Sequence, residues 1–231
     1  MHTPVIVALD VPDRPSLAAT VERLPPAISW YKVGLELFCA EGPGVLEPLQ
    51  TLGKNIFLDL KLHDIPRTVE RAVSAAARHR VHLLTLHAGG GKAMLEAAVQ
   101  AARAGGHAST KLLAVTVLTS LDTSDLQAVG VARSPRDQAV ALAVLAREAG
   151  VDGVVCSLHE ASAIRAAVGP DALIVTPGIR LPSNTIGDQK RVGTPRDARD
   201  AGATHLVVGR PILEADDPAA AYAAIMADLA S

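Results

Sequence analysis

Cysteine is scarce in this chain of 231 residues. Its two cysteines, Cys39 and Cys156, stand far apart in apolar surroundings with no C-x-x-C spacing, which argues against a disulfide framework and against a thiolate metal site. A reducing, cytoplasmic setting is the expectation. An excess of charge is also missing: 22 basic residues face 24 acidic ones, for a formal net charge of −2, so nucleic acid and anionic membranes are not expected as main partners. No uninterrupted apolar run approaches the ~20 residues that a spanning helix needs. The segment Met1-His2-Thr3-Pro4 has neither the basic stretch nor the apolar core of a signal peptide.

What is present is a hydrophobic fraction of 49%, enough to bury one sizeable core, with no linker or low-complexity segment to divide the chain. Short β-branched runs alternate with Ala- and Leu-rich stretches of helical character, the pattern of repeated βα units around a parallel sheet. Strands are expected at 5–10, 30–33, 56–60, 83–87, 112–117, 153–155, 173–176 and 205–208, and helices include 16–24, 66–78, 92–103, 135–149 and 195–201. Eight units without a composition break favour a closed barrel over an open sheet. The expected fold is therefore α/β, one (β/α)8-barrel domain over residues 1–231. A stretch at 177–193, rich in Gly, Pro, Ser and Asn and lacking apolar periodicity, is expected to be a lid loop.

Catalytic groups of such barrels sit at the C-terminal ends of the strands, so polar residues that close an apolar run are the candidates. Asp10 ends the first run, Lys32 lies in the second, Asp59 and Lys61 end the third, and His87 ends the fourth. Thr119 and Ser120 follow the fifth, Thr176 and Pro177 the seventh, and Gly209 and Arg210 the eighth. The densest group is Asp59-Leu60-Lys61-Leu62-His63-Asp64. Strand residues two apart share a face, so Asp59 and Lys61 should point together into the barrel mouth while Leu60 packs outward. That places a cationic acid between carboxylates in a confined site; the alternative is a structural ion pair. Asp10, Asp59 and Asp64 offer oxygen ligands that Mg²⁺ accepts, but two lysines aimed into the same space oppose a dication, and no metal is expected.

A second group suits phosphate. Val207-Val208-Gly209-Arg210-Pro211 reads as a strand leading through glycine to an arginine at a helix start, and the preceding lid brings Arg180 and Gln189 within reach of the same anion. His87-Ala88-Gly89-Gly90-Gly91 reads as a flexible turn before a helix rather than as a loop for backbone approach to a ligand. His2, His79, His82 and His159 show no ligand spacing.

From Val5 to the C-terminal helix the chain resembles the orotidine 5′-monophosphate decarboxylase family of bacterial type. The strongest match is Phe57-Leu58-Asp59-Leu60-Lys61-Leu62-His63-Asp64-Ile65-Pro66, which contains the D-x-K-x-x-D motif shared across a wider suprafamily. Val7-Ala8-Leu9-Asp10, Tyr31-Lys32-Val33-Gly34, Leu118-Thr119-Ser120-Leu121, Thr176-Pro177-Gly178-Ile179-Arg180, Gly187-Asp188-Gln189 and Val208-Gly209-Arg210-Pro211 narrow the choice. The one departure is Arg67, at a position where Asn is expected.

The resemblance implies decarboxylation of orotidine 5′-monophosphate (OMP) in pyrimidine biosynthesis, without a cofactor. It implies that Lys61 delivers the proton, that Asp59 lies beside the departing carboxylate, and that Asp10 and Lys32 bind the ribose and complete the charged array. Thr119 and Ser120 would meet the pyrimidine, and Pro177, Arg180, Gln189, Gly209 and Arg210 would line the phosphate region. Asp64 and Thr68 would reach into the site of a partner subunit, which makes the expected assembly a homodimer. The rivals are a Mg²⁺-dependent suprafamily member acting on a sugar phosphate, whose relatives carry an acidic residue where this chain has Lys32, and a silent barrel that only binds a phosphorylated metabolite.

Overall fold

A computed structural model describes residues 4–104, 110–180 and 193–231. Eight parallel strands close into a barrel in chain order, with β8 returning to pair with β1. They are β1 (Val5–Leu9), β2 (Trp30–Val33), β3 (Asn55–Leu62), β4 (Leu83–His87), β5 (Lys111–Val115), β6 (Gly153–Val155), β7 (Leu173–Thr176) and β8 (His205–Val208). The layer outside holds α1 (Arg14–Arg23), α2 (Leu35–Glu41), α3 (Glu47–Thr51), α4 (Pro66–Arg78), α5 (Lys92–Ala104), α6 (Thr123–Ala128), α7 (Pro135–Glu148), α8 (Leu158–Val168), α9 (Pro195–Asp200), α10 (Arg210–Leu213) and α11 (Pro218–Ala230). This is the expected (β/α)8 barrel.

The strands read as near-continuous apolar runs because both of their faces are covered. Inside the barrel, Ile6, Ala8, Phe57, Leu83, Leu113, Val175 and Val207 form one cluster, while the alternate residues pack outward against the helices in a second, larger one. In α4 the buried positions Val69, Val73, Ala76 and Ala77 recur at helical spacing and face the barrel. Side-chain caps set several helix starts: Asp13 accepts from the Ser16 amide, Ser134 from Asp137, and Ser157 and Glu160 close a reciprocal box at α8. Each such cap is worth about 1 kcal/mol. At Gly153 a Cβ would lie 2.3 Å from the Leu173 carbonyl, so the approach of β6 to β7 demands glycine there.

β2, β4, β6, β7 and β8 coincide with the spans expected from sequence, and β1, β3 and β5 differ by one or two residues at their ends. β5 stops at Val115 because β6 ends at Val155, whose carbonyl takes both the amide and the hydroxyl of Thr116. β3 runs on to Leu62 through an irregularity, its register against β4 shifting between Leu58 and Leu62. At the N-terminal end of the barrel Trp30 meets His82 and His205 edge-on, with ring centroids 5.8 and 5.4 Å apart. This aromatic plug was not legible in the spacing of the histidines. Among the described residues, no helix is long and apolar enough to cross a membrane.

Candidate active site

At the C-terminal ends of the strands a cavity of about 270 Å³ opens, lined on its β1 to β3 side by Asp10, Lys32, Asp59 and Lys61. These four side chains form a chain of alternating charge. Lys32 Nζ donates to Asp10 Oδ1 at 3.0 Å and stands 3.8 Å from Asp59 Oδ2, while Lys61 Nζ donates to the same Asp59 oxygen at 2.8 Å. Asp59 is 8% exposed, and two ammonium groups compensate its charge where little water reaches it. Gly34 gives Lys32 its room, since a Cβ there would sit 3.0 Å from the ammonium nitrogen.

Asp59 and Lys61 do share the cavity, but not by plain strand alternation. Lys61 adopts φ of 49°, in the left-handed region that a non-glycine residue enters at a cost of about 1–2 kcal/mol. At this point its amide leaves the β3–β4 ladder and donates to Thr85 Oγ1 at 2.9 Å. The Thr85 hydroxyl in turn donates to Asp59 Oδ1 at 2.9 Å. Thr85 escaped the sequence reading; the available signal was a hydroxyl at an inward position of an otherwise apolar strand, two residues before His87. Leu60, between the two charged residues, packs outward as expected.

The rest of the cavity has two different walls. Val115, Val117, Leu118, Val155 and Cys156 present an apolar face from β5 and β6, next to Thr119. Pro177, Arg180, Gly209 and Arg210 line the side formed by β7 and β8. Gly209 is packed close to β1: a Cβ there would meet Asp10 Oδ2 at 3.3 Å and Ala8 Cβ at 3.5 Å. The feet of the expected lid are paired, Arg180 N donating to Gly193 O at 2.9 Å, whereas Gln189 and the span 181–192 lie outside the described residues.

The cavity thus gathers Asp10, Lys32, Asp59, Lys61, Thr119, Pro177, Arg180, Gly209 and Arg210. Ser120 is exposed and does not line it. Asp64 and Thr68 are likewise exposed on the segment after β3, next to Ile65, which leaves 68% of its surface open. Asp64 Oδ1 accepts from the Ile65 amide at 2.7 Å. The ring of His87 lies 5.2 Å from that of His63, and burial, followed by the charges of His63 and Lys61, pushes its pKa below the ordinary imidazole value. The glycines after His87 form a turn into α5, and a Cβ at Gly90 would displace the end of the Met94 side chain. Among the described residues, no group of three or more His, Cys, Asp or Glu is placed to hold a metal ion.

A parallel eight-stranded barrel that carries a Lys-Asp array on one side of its mouth and arginines on the other is built to act on a small anionic substrate. The family model described as orotidine 5′-phosphate decarboxylase / HUMPS family matches residues 3–225, and the chain belongs to that family. It is 52% identical over 233 residues to a protein of Chromohalobacter salexigens named orotidine 5′-phosphate decarboxylase, covering 100% of this chain and 97% of that protein. A protein of the same name from Anaeromyxobacter sp. (strain K) is 51% identical over 225 residues, covering 97% of each. The crystal structure of orotidine 5′-phosphate decarboxylase from Lactobacillus acidophilus superposes with a TM-score of 0.88 at 40% identity, with 100% of both chains covered.

Proposed function

We propose that the chain is an orotidine 5′-monophosphate decarboxylase, a carboxy-lyase of pyrimidine biosynthesis that converts OMP to UMP and CO2. The observation that carries this reading is the Lys61 ammonium, fixed 2.8 Å from Asp59 at the head of a cavity whose opposite side is cationic. Cleavage of the ring carbon–carboxylate bond leaves an electron pair in an sp² orbital that the ring does not delocalise by simple resonance. A preorganised cation at that carbon is the direct stabiliser. Lys61 then gives its proton to the same atom and regains one from water. Asp59, beside the departing carboxylate, raises the energy of the bound substrate relative to the state in which CO2 has left.

In the same reading Asp10 and Lys32 hold the ribose, Thr119 and Ser120 address the pyrimidine, and Arg180, Gln189 and Arg210 grip the phosphate beside Pro177 and Gly209. Loop 177–193 closes over them. Asp64 and Thr68 serve the site of a second copy in a homodimer, a placement supported by their exposure outside their own cavity. The two free cysteines suit a cytoplasmic enzyme. Lys32, aimed into the mouth beside Lys61, argues against the Mg²⁺-dependent sugar-phosphate chemistry of the wider suprafamily. The test is the loss of OMP absorbance on adding purified protein. Absence of turnover with OMP, in protein that is folded and dimeric, would overturn the assignment.

A further inference from the structure

We infer that Thr85 is a positioning residue for the decarboxylation, its one hydroxyl fixing both the Asp59 carboxylate and the left-handed backbone that aims Lys61. The inference rests on the decarboxylase reading above. Thr85 is 0% exposed and is not among the residues that line the cavity, so it acts only through its neighbours. It sits on the inward face of β4, two residues after Leu83 of the inner cluster, at the level where β3 loses its register against β4.

A hydroxyl has one proton to give and lone pairs to receive, and both are used in opposite directions here. Thr85 Oγ1 accepts the Lys61 amide at 2.9 Å, standing in for the strand carbonyl that the shifted register withdraws. It donates to Asp59 Oδ1 at 2.9 Å, which stops rotation of the carboxylate and turns Oδ2 toward Lys61 Nζ at 2.8 Å. The strained φ of 49° at Lys61 persists where surrounding contacts over-determine it, and the Thr85 bond is one of them. An isosteric valine removes both bonds at once. The Lys61 amide then has to find another acceptor, the backbone relaxes toward ordinary strand values, and the ammonium swings away from Asp59.

The experiment measures kcat and KM with OMP, and the Kd for UMP, in wild-type protein and in Thr85→Val, Thr85→Ala and Thr85→Ser. Wild-type turnover is read first, so that a failed function assignment is separated from a failed role for Thr85. Thr85→Val and Thr85→Ala are expected to lose kcat by about 100-fold, the scale of a 1 Å misplacement of a catalytic group, while KM and the UMP Kd stay within about threefold. Thr85→Ser, which keeps the hydroxyl, should remain within about threefold of wild type in kcat. A residue needed only for folding would lower the melting temperature and leave kcat per folded molecule intact, with no rescue by serine. Wild-type kcat in Thr85→Val or Thr85→Ala, or a loss in Thr85→Ser as large as in Thr85→Ala, would overturn the inference. If Thr85→Val does not fold, the contrast between serine and alanine decides it.

Discussion

Acid should loosen the barrel from its N-terminal end, through the plug in which Trp30 lies between His82 and His205. Burial pushes the His205 pKa from the ordinary 6.5 down to about 4. The Thr204 hydroxyl already donates to the Ile174 carbonyl, so its 3.0 Å contact with His205 uses the Nδ1 proton of the ring and leaves Nε2 to take up acid. Above pH 6.5 the imidazole is neutral in both the folded and the unfolded chain, and its contribution is complete. Between 6.5 and about 4 the unfolded chain binds a proton that the folded one refuses, so stability falls as the pH drops. At 1.36 kcal/mol per tenfold difference in proton affinity, the full loss is about 3 kcal/mol. For a domain of this size that corresponds to about 6–12 °C in melting temperature. His82, also pushed down by burial and accepting the Ile56 amide on Nδ1 at 3.1 Å, adds to the effect in the same direction. Melting temperatures of wild type and His205→Phe, recorded from pH 7.5 to 4, isolate the His205 share because carboxylate effects are common to both. The variant should show a pH slope shallower by close to one proton. Parallel curves for the two proteins would refute the reasoning.

Four expectations concern the chemistry. Lys61→Ala should lower kcat by at least about 10²–10³-fold while UMP still binds, because the ammonium matters most as charge develops; a variant altered only in KM would make Lys61 a binding residue. Activity should survive dialysis against a strong chelator, since the lysines hold the positive role that a metal would otherwise fill, and an enzyme restored by Mg²⁺ alone would point to the sugar-phosphate alternative. Arg210→Ala should cost about 2–4 kcal/mol in kcat/KM with OMP and almost nothing with the nucleoside orotidine, which has no phosphate to hold; equal losses on both would tie Arg210 to the fold instead. Inactive Lys61→Ala and Asp64→Ala proteins, mixed in equal amounts with subunit exchange, should recover up to about a quarter of wild-type activity, as both lesions fall in the same site of each heterodimer and spare the other. Mixtures that stay inactive would remove Asp64 from the partner's site.

The amino-acid sequence by itself determined the eight βα units, the end of the barrel at which the cavity opens, and the charged residues around that cavity. Those features are local: a buried parallel strand is a continuous apolar run, and a polar residue that closes such a run lands on the rim whatever the details of packing. Asp10, Lys32, Asp59, Lys61, Thr119 and Arg210 were legible for that reason, and Arg180 through its place in the expected lid. The way β3 delivers Lys61 was not. Strand periodicity put Asp59 and Lys61 on one face of a regular strand, whereas the structure brings them together through a register shift and a left-handed residue. That geometry depends on Thr85, which is 24 residues away and on the neighbouring strand. The plug of Trp30, His82 and His205 also depends on partners far apart in the chain, and three scattered residues have no spacing to betray them. Beyond the end of β5 the chain no longer alternates about a sheet, so Val117, Leu118 and Thr119 line the cavity in succession while Ser120 faces solvent, and strand period does not say where the lining stops. Sequence pattern reports which face of an element is buried; only the closed barrel decides which side chains from different strands meet there, since those contacts are made between residues that no period relates.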